Sequence, residues 1–262
     1  MPIKYIKKMI LQTHDIDIGY DKPKLIVAKS VNIKIEKAGL TAVIGINGSG
    51  KSTLIKSLGG LLPIMNGKIS LYDKPINEYP PKVLAQKISL VLTKQSLPQH
   101  LTVFDFVALG RHPYTNWLGV PQHRDKAHII TALKQVDLYD KKDKACLALS
   151  DGQLQKALIA RAIAQNTALI LLDEPTSHLD MYHKAMVLKL LKQISIEREK
   201  AVVFATHEIN LALQLCDHIV LIKDQKAIQD TPKALVKSGL LHELFPKDLI
   251  QFDDKAQIFK MI

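Results

Sequence analysis

The stretch that most restricts what this chain can fold into is Gly45-Ile46-Asn47-Gly48-Ser49-Gly50-Lys51-Ser52-Thr53. It lies between an apolar run, Thr41 to Ile44, and a segment of helical character that opens near Lys51. A buried strand that passes through a glycine loop into a helix builds an anion site from consecutive amides and the positive end of the helix. Gly45, Gly48 and Gly50 allow backbone conformations and close approaches that a Cβ would block. In such a loop Lys51 is expected to reach the β and γ phosphates of a nucleotide, Ser52 to offer a hydroxyl to Mg²⁺, and Thr53 to meet the α phosphate. Asn47 and Ser49 complete the nucleotide-binding set.

Further apolar runs repeat the character of Thr41 to Ile44: Ile88 to Leu92, Ala168 to Leu172, Ala201 to Ala205 and Ile219 to Ile222. Runs apolar on both faces, separated by helical stretches, read as buried strands of a parallel sheet. Three of them run straight into motif residues: Gly45, Asp173 and, after Thr206, His207. Ligands of open α/β sheets bind beyond the carboxyl ends of the strands. Ahead of the loop, Ile6 to Leu11, Ile16 to Tyr20 and Val31 to Ile35 predict a small antiparallel sheet. From Ser96 to Leu149 helical spacing takes over, and from about Thr231 short helix and strand are expected on the outside. One domain follows, with an α/β core from 1–95 and 160–230, an inserted helical segment 96–159 and an extension 231–262.

Asp173 ends a buried strand, where a carboxylate can hold Mg²⁺. Glu174 follows on the opposite side of the strand end, suited to deprotonating an attacking water. Upstream lies Leu149-Ser150-Asp151-Gly152-Gln153. Its residues have the spacing of a capping box, with Ser150 as N-cap and Gln153 three residues on. Asp151 complements the dipole of the helix that starts there by up to about 1 kcal/mol. The same helix start is an anion site.

Taken in order, these motifs resemble the ABC ATPases over nearly the whole chain. The resemblance implies a P-loop fold with a mostly parallel core sheet, an N-terminal antiparallel β subdomain and an inserted helical subdomain. Leu149 to Gln153 corresponds to the family signature, usually Leu-Ser-Gly-Gly-Gln, which closes over ATP held by a second copy. Asp151 departs from that pattern and trades closure for helix stability, with Ser150 and Gly152 left to meet the phosphate. Tyr20 matches the aromatic that stacks on adenine. Gln95 matches the Q-loop glutamine that contacts Mg²⁺ and water. Ser177-His178-Leu179-Asp180 matches the D-loop, and His207 the switch histidine that bonds the γ phosphate. The implied catalytic set is Glu174, His207 and Gln95, with ATP and Mg²⁺ as ligands.

The segments Lys94 to Val103 and Val107 to Thr115 resemble the ATPase subunits of importers for ferric siderophores, haem and cobalamin. That implies an integral membrane permease docked in a groove near Gln95 to Trp117, and a substrate-binding protein met indirectly. The residues leave siderophore, haem and cobalamin open. Phe104 and Phe106 in this stretch are expected to be claimed by helix packing.

Composition bounds the rest. The chain has 262 residues, 47% of them apolar, and a net charge of +11. No apolar run approaches the roughly 18–20 residues that span a bilayer, and no basic-then-apolar leader opens the chain. A peripheral protein on the cytoplasmic face of the inner membrane is expected. The positive charge invites a polyanion (nucleic acid, an anionic membrane face or nucleotide phosphate), although a solvated lysine surface accounts for it equally simply. The lysines are scattered, however, and the four arginines are dispersed, whereas nucleic-acid readers concentrate them. A non-transport ABC ATPase acting on nucleic acid is therefore the alternative, and no nucleic-acid partner is expected. Cys146 and Cys216 lack metal-type spacing and read as buried thiols.

Overall fold

The computed structural model describes residues 8–92, 100–117, 119–246 and 248–262. The chain opens with β1 (Met9–Asp21), β2 (Lys24–Val31) and β3 (Lys34–Glu36), then β4 (Leu40–Ile44) and α1 (Lys51–Leu58). Next come β5 (Asn66–Leu71), β6 (Lys74–Pro75), α2 (Pro81–Ala85) and β7 (Ile88–Val91). Helices α3 (Val103–Ala108), α4 (His123–Gln135) and α5 (Asp151–Gln165) follow. The chain continues with β8 (Leu169–Asp173), α6 (Met181–Glu197), β9 (Ala201–Ala205), α7 (Ile209–Leu215), β10 (His218–Lys223) and β11 (Lys226–Asp230). It closes with α8 (Pro232–Lys237) and the hairpin β12 (Ile250–Asp253) and β13 (Ile258–Met261).

The main sheet has the order β11-β10-β4-β9-β8-β7. All its pairs are parallel except the edge pair β10–β11. Strands β4, β9 and β8 are buried throughout, and the strands of this sheet other than the edge strand β11 sort their side chains by alternation. Ala42, Ile44, Ile170, Leu172, Val202, Phe204, Ile219 and Leu221 join the core that contains α3 to α8. Val43, Leu169, Leu171, Val203, Val220 and Ile222 face the other way, onto α1 and the antiparallel sheet. A two-residue period with both faces covered is what a continuous apolar strand requires.

The second sheet runs β2-β1-β5-β6, with β3 also paired to β1. Here the structure departs from the sequence reading. The runs ending at Leu11 and beginning at Ile16 belong to one strand, β1, and residues 1–7 lie outside the described residues. Asp15 takes a left-handed φ of 44°, and the pairing to β5 shifts register between His14 and Asp17. The polar interruption is therefore a bulge, which bends a strand without ending it.

Among the described residues the 100–149 stretch holds helices and turns, with one isolated bridge between Thr102 and Ala145. Residue 159 lies inside α5, so a continuous helix carries the chain from this stretch back to the sheet. Phe106 is buried and Phe104 packs on the same core. Both cysteines are buried free thiols, and burial pushes the Cys216 thiol well above the ordinary range. No helix among the described residues is long and apolar enough to cross a membrane.

Candidate functional site

Adjacent strands β4, β9 and β8 end side by side, and each delivers one part of the site. The Glu174 amide donates to Ala205 O at 3.1 Å and the Thr206 amide to Val43 O at 3.1 Å. The three strand ends are thus stitched together where their side chains turn polar.

From β4 the chain enters the glycine loop. Gly45 has φ 156°, and a Cβ there would stand 2.5 Å from both Ile222 O and Ser49 Oγ. At Gly50, which precedes α1 with φ 103°, a Cβ would come 2.0 Å from Val27 Cγ1. Any other residue at either position would push the loop away from the sheet. Lys51 is buried and donates from Nζ to the carbonyls of Gly45 and Ile46, both at 3.0 Å. Burial pulls its ammonium below the ordinary lysine value, against the opposing pull of Glu174 and Asp173. Ser49 Oγ is a buried hydroxyl with no hydrogen-bond partner. A loop with an orphaned donor and a lysine held over its own carbonyls fits an anion such as a phosphate chain.

Ser52 Oγ donates to Asp173 Oδ1 at 2.7 Å, so α1 and β8, 121 residues apart, bring two of the three expected Mg²⁺ residues together. On the neighbouring position Glu174 takes φ 48°. A left-handed glutamate at a strand end costs about 1–3 kcal/mol and is over-represented at functional sites. A turn holds it: the amide and hydroxyl of Ser177 both donate to Glu174 O, at 3.1 and 2.9 Å. The Glu174 carboxylate meets His207, with Nε2 and Oε1 2.5 Å apart. Tyr20 reaches over α1, its hydroxyl 3.2 Å from Thr53 Oγ1. Asn47 and Gly48 are exposed along the outer rim of the loop. Gln95 lies outside the described residues.

The signature starts α5. Ser150 is its N-cap, and the reciprocal box is formed: the Gln153 amide donates to Ser150 Oγ and the Ser150 amide to Gln153 Oε1, each at 3.4 Å. Asp151 is exposed in the first turn. Asp180 caps α6 through the His183 amide at 2.8 Å, and both its carboxylate oxygens stand 2.8 Å from His183 Nδ1. The hydrogen bonds from the His183 amide and ring hold the Asp180 carboxyl below its usual range.

His183 was not among the expected site residues. Its ring lies against the signature: a Cβ on Gly152 would meet His183 Cδ2 at 2.8 Å. The one available signal was the Asp180 to His183 spacing across a helix start, which marks a side chain turned back to its cap. Two more ties join segments distant in the chain. Lys184 Nζ donates to Glu208 Oε1 at 2.6 Å, and the buried Arg111 pairs with Asp125 at 2.9 Å.

Comparison with known proteins identifies the family and the fold. The family model described as "ABC transporter" matches residues 28–177. An uncharacterised ABC transporter ATP-binding protein of Methanocaldococcus jannaschii is 38% identical over 96% of this chain and 87% of its own length. The petrobactin import ATP-binding protein of Bacillus anthracis is 35% identical over 90% of this chain and 86% of its own. Among solved structures, an inward-facing ABC transporter assigned to the metal-chelate type superposes with a TM-score of 0.80 at 32% identity, covering 91% of this chain and 89% of that one. A dimeric ATP-binding cassette bound to ADP and Pi superposes with a TM-score of 0.72 at 27% identity, over 85% and 99% of the two chains. The chain belongs to the ABC transporter family, as an ATP-hydrolysing, ATP-binding subunit.

Proposed function

We propose that this subunit drives an importer of iron complexes, siderophore or haem, or of cobalamin, by hydrolysing ATP between two copies of itself. The observation that carries the hydrolytic reading is the Glu174 carboxylate, held in a left-handed turn beside Asp173 and bonded to His207 at 2.5 Å. In this reading Tyr20 stacks on adenine, and Gly45 to Thr53 cradle the phosphates through backbone amides and Lys51. Ser150, Asp151, Gly152 and Gln153 approach the γ phosphate of the partner copy, and Asp180 faces the same interface. Ser52, Asp173 and Gln95 are hard oxygen donors that would hold Mg²⁺, which when bound neutralises phosphate charge. Glu174 accepts the proton of the attacking water, and His207 keeps that carboxylate oriented and donates to the terminal phosphate.

The cargo class rests on the relatives, one of which is named for petrobactin import. The permease would dock where the 100–117 stretch meets α2. There Gln86 Nε2 donates to Pro113 O at 2.8 Å and Gln86 O accepts from Tyr114 at 3.4 Å. Beside this contact opens a cavity of about 1090 Å³ lined in part by Leu61, Ile64, Ile76, Leu84 and Leu90. Trp117, three residues after Tyr114, stands 91% exposed, and an exposed aromatic suits contact with a partner. The subunit would then sit peripherally on the inner face of the membrane, with the substrate-binding protein reached only through the permease.

The test is Glu174→Gln. It keeps ATP binding and loses about 10²–10⁴-fold in hydrolysis, the scale of a general base. Turnover within a few-fold of the parent protein would remove Glu174 from the role.

A further inference from the structure

The segment that carries His207 is tied to three different elements by three side chains within four residues, His207, Glu208 and Asn210. His207 meets Glu174 at the end of β8. Glu208 is bonded to Lys184 of α6. Asn210 is bonded to the C-terminal hairpin twice: its Nδ2 donates to Phe259 O at 3.2 Å, and the Phe259 amide donates to its Oδ1 at 2.8 Å. The Asn210 amide thereby pairs with β13 as a neighbouring strand's backbone would.

The helix that receives this tie needs it. α7 has seven residues, and Glu208, its N-cap, makes no side-chain cap bond to it. A helix that short is not stable from its own propensity, so the position of its first turn comes from outside. The hairpin is equipped to supply it. Two strands alone are marginal in water, but β12 and β13 are anchored by a ring cluster. Phe259 stacks edge-on with Phe245 and Phe252, at centroid distances of 5.1 and 5.0 Å. Phe252 is buried in the core that also contains Ile209, Ala212 and Leu213. The hairpin turn is closed by Asp253, which accepts from the amides of Lys255 and Ala256 and from Lys260 Nζ, at 2.9, 3.0 and 2.7 Å.

We infer that the C-terminal hairpin is part of the hydrolytic machinery, and that Asn210 is a positioning residue through which β13 holds α7 so that His207 meets Glu174. This rests on the reading of Glu174 and His207 given above. The family model ends at residue 177, so the proposed brace lies wholly outside the matched region. Catalytic groups displaced by about 1 Å lose on the order of 10²-fold in rate, and a loosened first turn displaces His207 without touching the glycine loop.

The experiment is a double-mutant cycle on the full chain, with kcat and KM for ATP hydrolysis, ADP affinity and thermal unfolding measured for each protein. Asn210→Ala is expected to lower kcat by roughly 10-fold or more, leaving KM and ADP affinity within about 2-fold. In a His207→Ala background the same change should lower kcat no further, because coupled residues are non-additive. Asn210→Asp keeps the acceptor for the Phe259 amide and should recover part of the rate; it also covers the case in which the alanine variant folds poorly. A kcat for Asn210→Ala within 2-fold of the parent, or a loss that adds in full to that of His207→Ala, overturns the inference. An unimpaired His207→Ala overturns the reading of the site beneath it, which is a separate result.

Discussion

Removing the Arg111 side chain tests how the helical segment is held to the end of α5. Arg111 is 4% exposed. Its Nε donates to Asp125 Oδ1 at 2.9 Å, and its Nη1 donates to Ala164 O at 2.8 Å and Gln165 O at 3.4 Å, the last carbonyls of α5. The guanidinium also lies 3.9 Å from the centre of the Tyr114 ring. Arg111→Met removes the guanidinium and leaves the buried Asp125 carboxylate with its bond from the Gln122 amide at 3.0 Å, and breaking such a pair costs about 3–5 kcal/mol. At this chain length each kcal/mol moves Tm by about 2–4 °C, so a fall of roughly 6–20 °C is expected. Urea unfolding followed by circular dichroism measures the free energy, and a thermal scan measures Tm. The double variant Arg111→Met/Asp125→Leu removes both charges and should regain most of the loss. Acid provides an internal check. Burial alone would raise the Asp125 carboxyl, but the Arg111 and Gln122 hydrogen bonds outweigh it and hold the group below its ordinary value. Its contribution is therefore present above the unfolded value of about 3.9 and is lost as pH falls through the lower folded value. The double variant should lack that acid-dependent loss. A single-variant cost below about 1 kcal/mol, or a double variant as weak as the single, would refute the reasoning.

Two further outcomes are expected. Gly152→Ala places a Cβ 2.8 Å from His183 Cδ2, and His183 is pinned by Asp180. The isolated helix should gain up to about 1 kcal/mol from the exchange, while ATP turnover falls on the order of 10-fold because the signature is displaced. Adding His183→Ala should restore part of that turnover, and no recovery would separate His183 from the signature. The Asp253 carboxyl is held down to about 2, first by Lys260 and then by the amides of Ala256 and Lys255. Its support for the hairpin is thus present above about pH 4 and lost as pH falls towards 2. Protection of the Phe259 amide against hydrogen exchange, relative to its intrinsic rate at each pH, should fall over that window, and Asp253→Asn should show the lower protection already at neutral pH.

The residues whose chemistry is written in local pattern were legible in the chain. Gly45 to Thr53 sits between an apolar strand and a helix, Asp173 ends a strand, and Ser150 with Gln153 carries the spacing of a cap. Each of these is a relation among near neighbours, and parallel strands bring their carboxyl ends to one edge without further instruction. The bulge at Asp15 was not legible, because a polar pair inside a strand and a turn between two strands read alike until the register is known.

What tertiary structure alone decided are the ties between distant elements. Arg111 and Asp125 lie 14 residues apart, and only the packing of their elements makes them a buried pair. His183 gains its meaning from the missing Cβ of Gly152. Asn210 is the sharpest case, since its partner, 49 residues away, is the backbone of Phe259. Every residue carries that amide and carbonyl, so no side-chain pattern can announce which one is used. The sequence determines which groups can do chemistry at each strand end; the packing of a remote hairpin decides where the helix behind His207 stands.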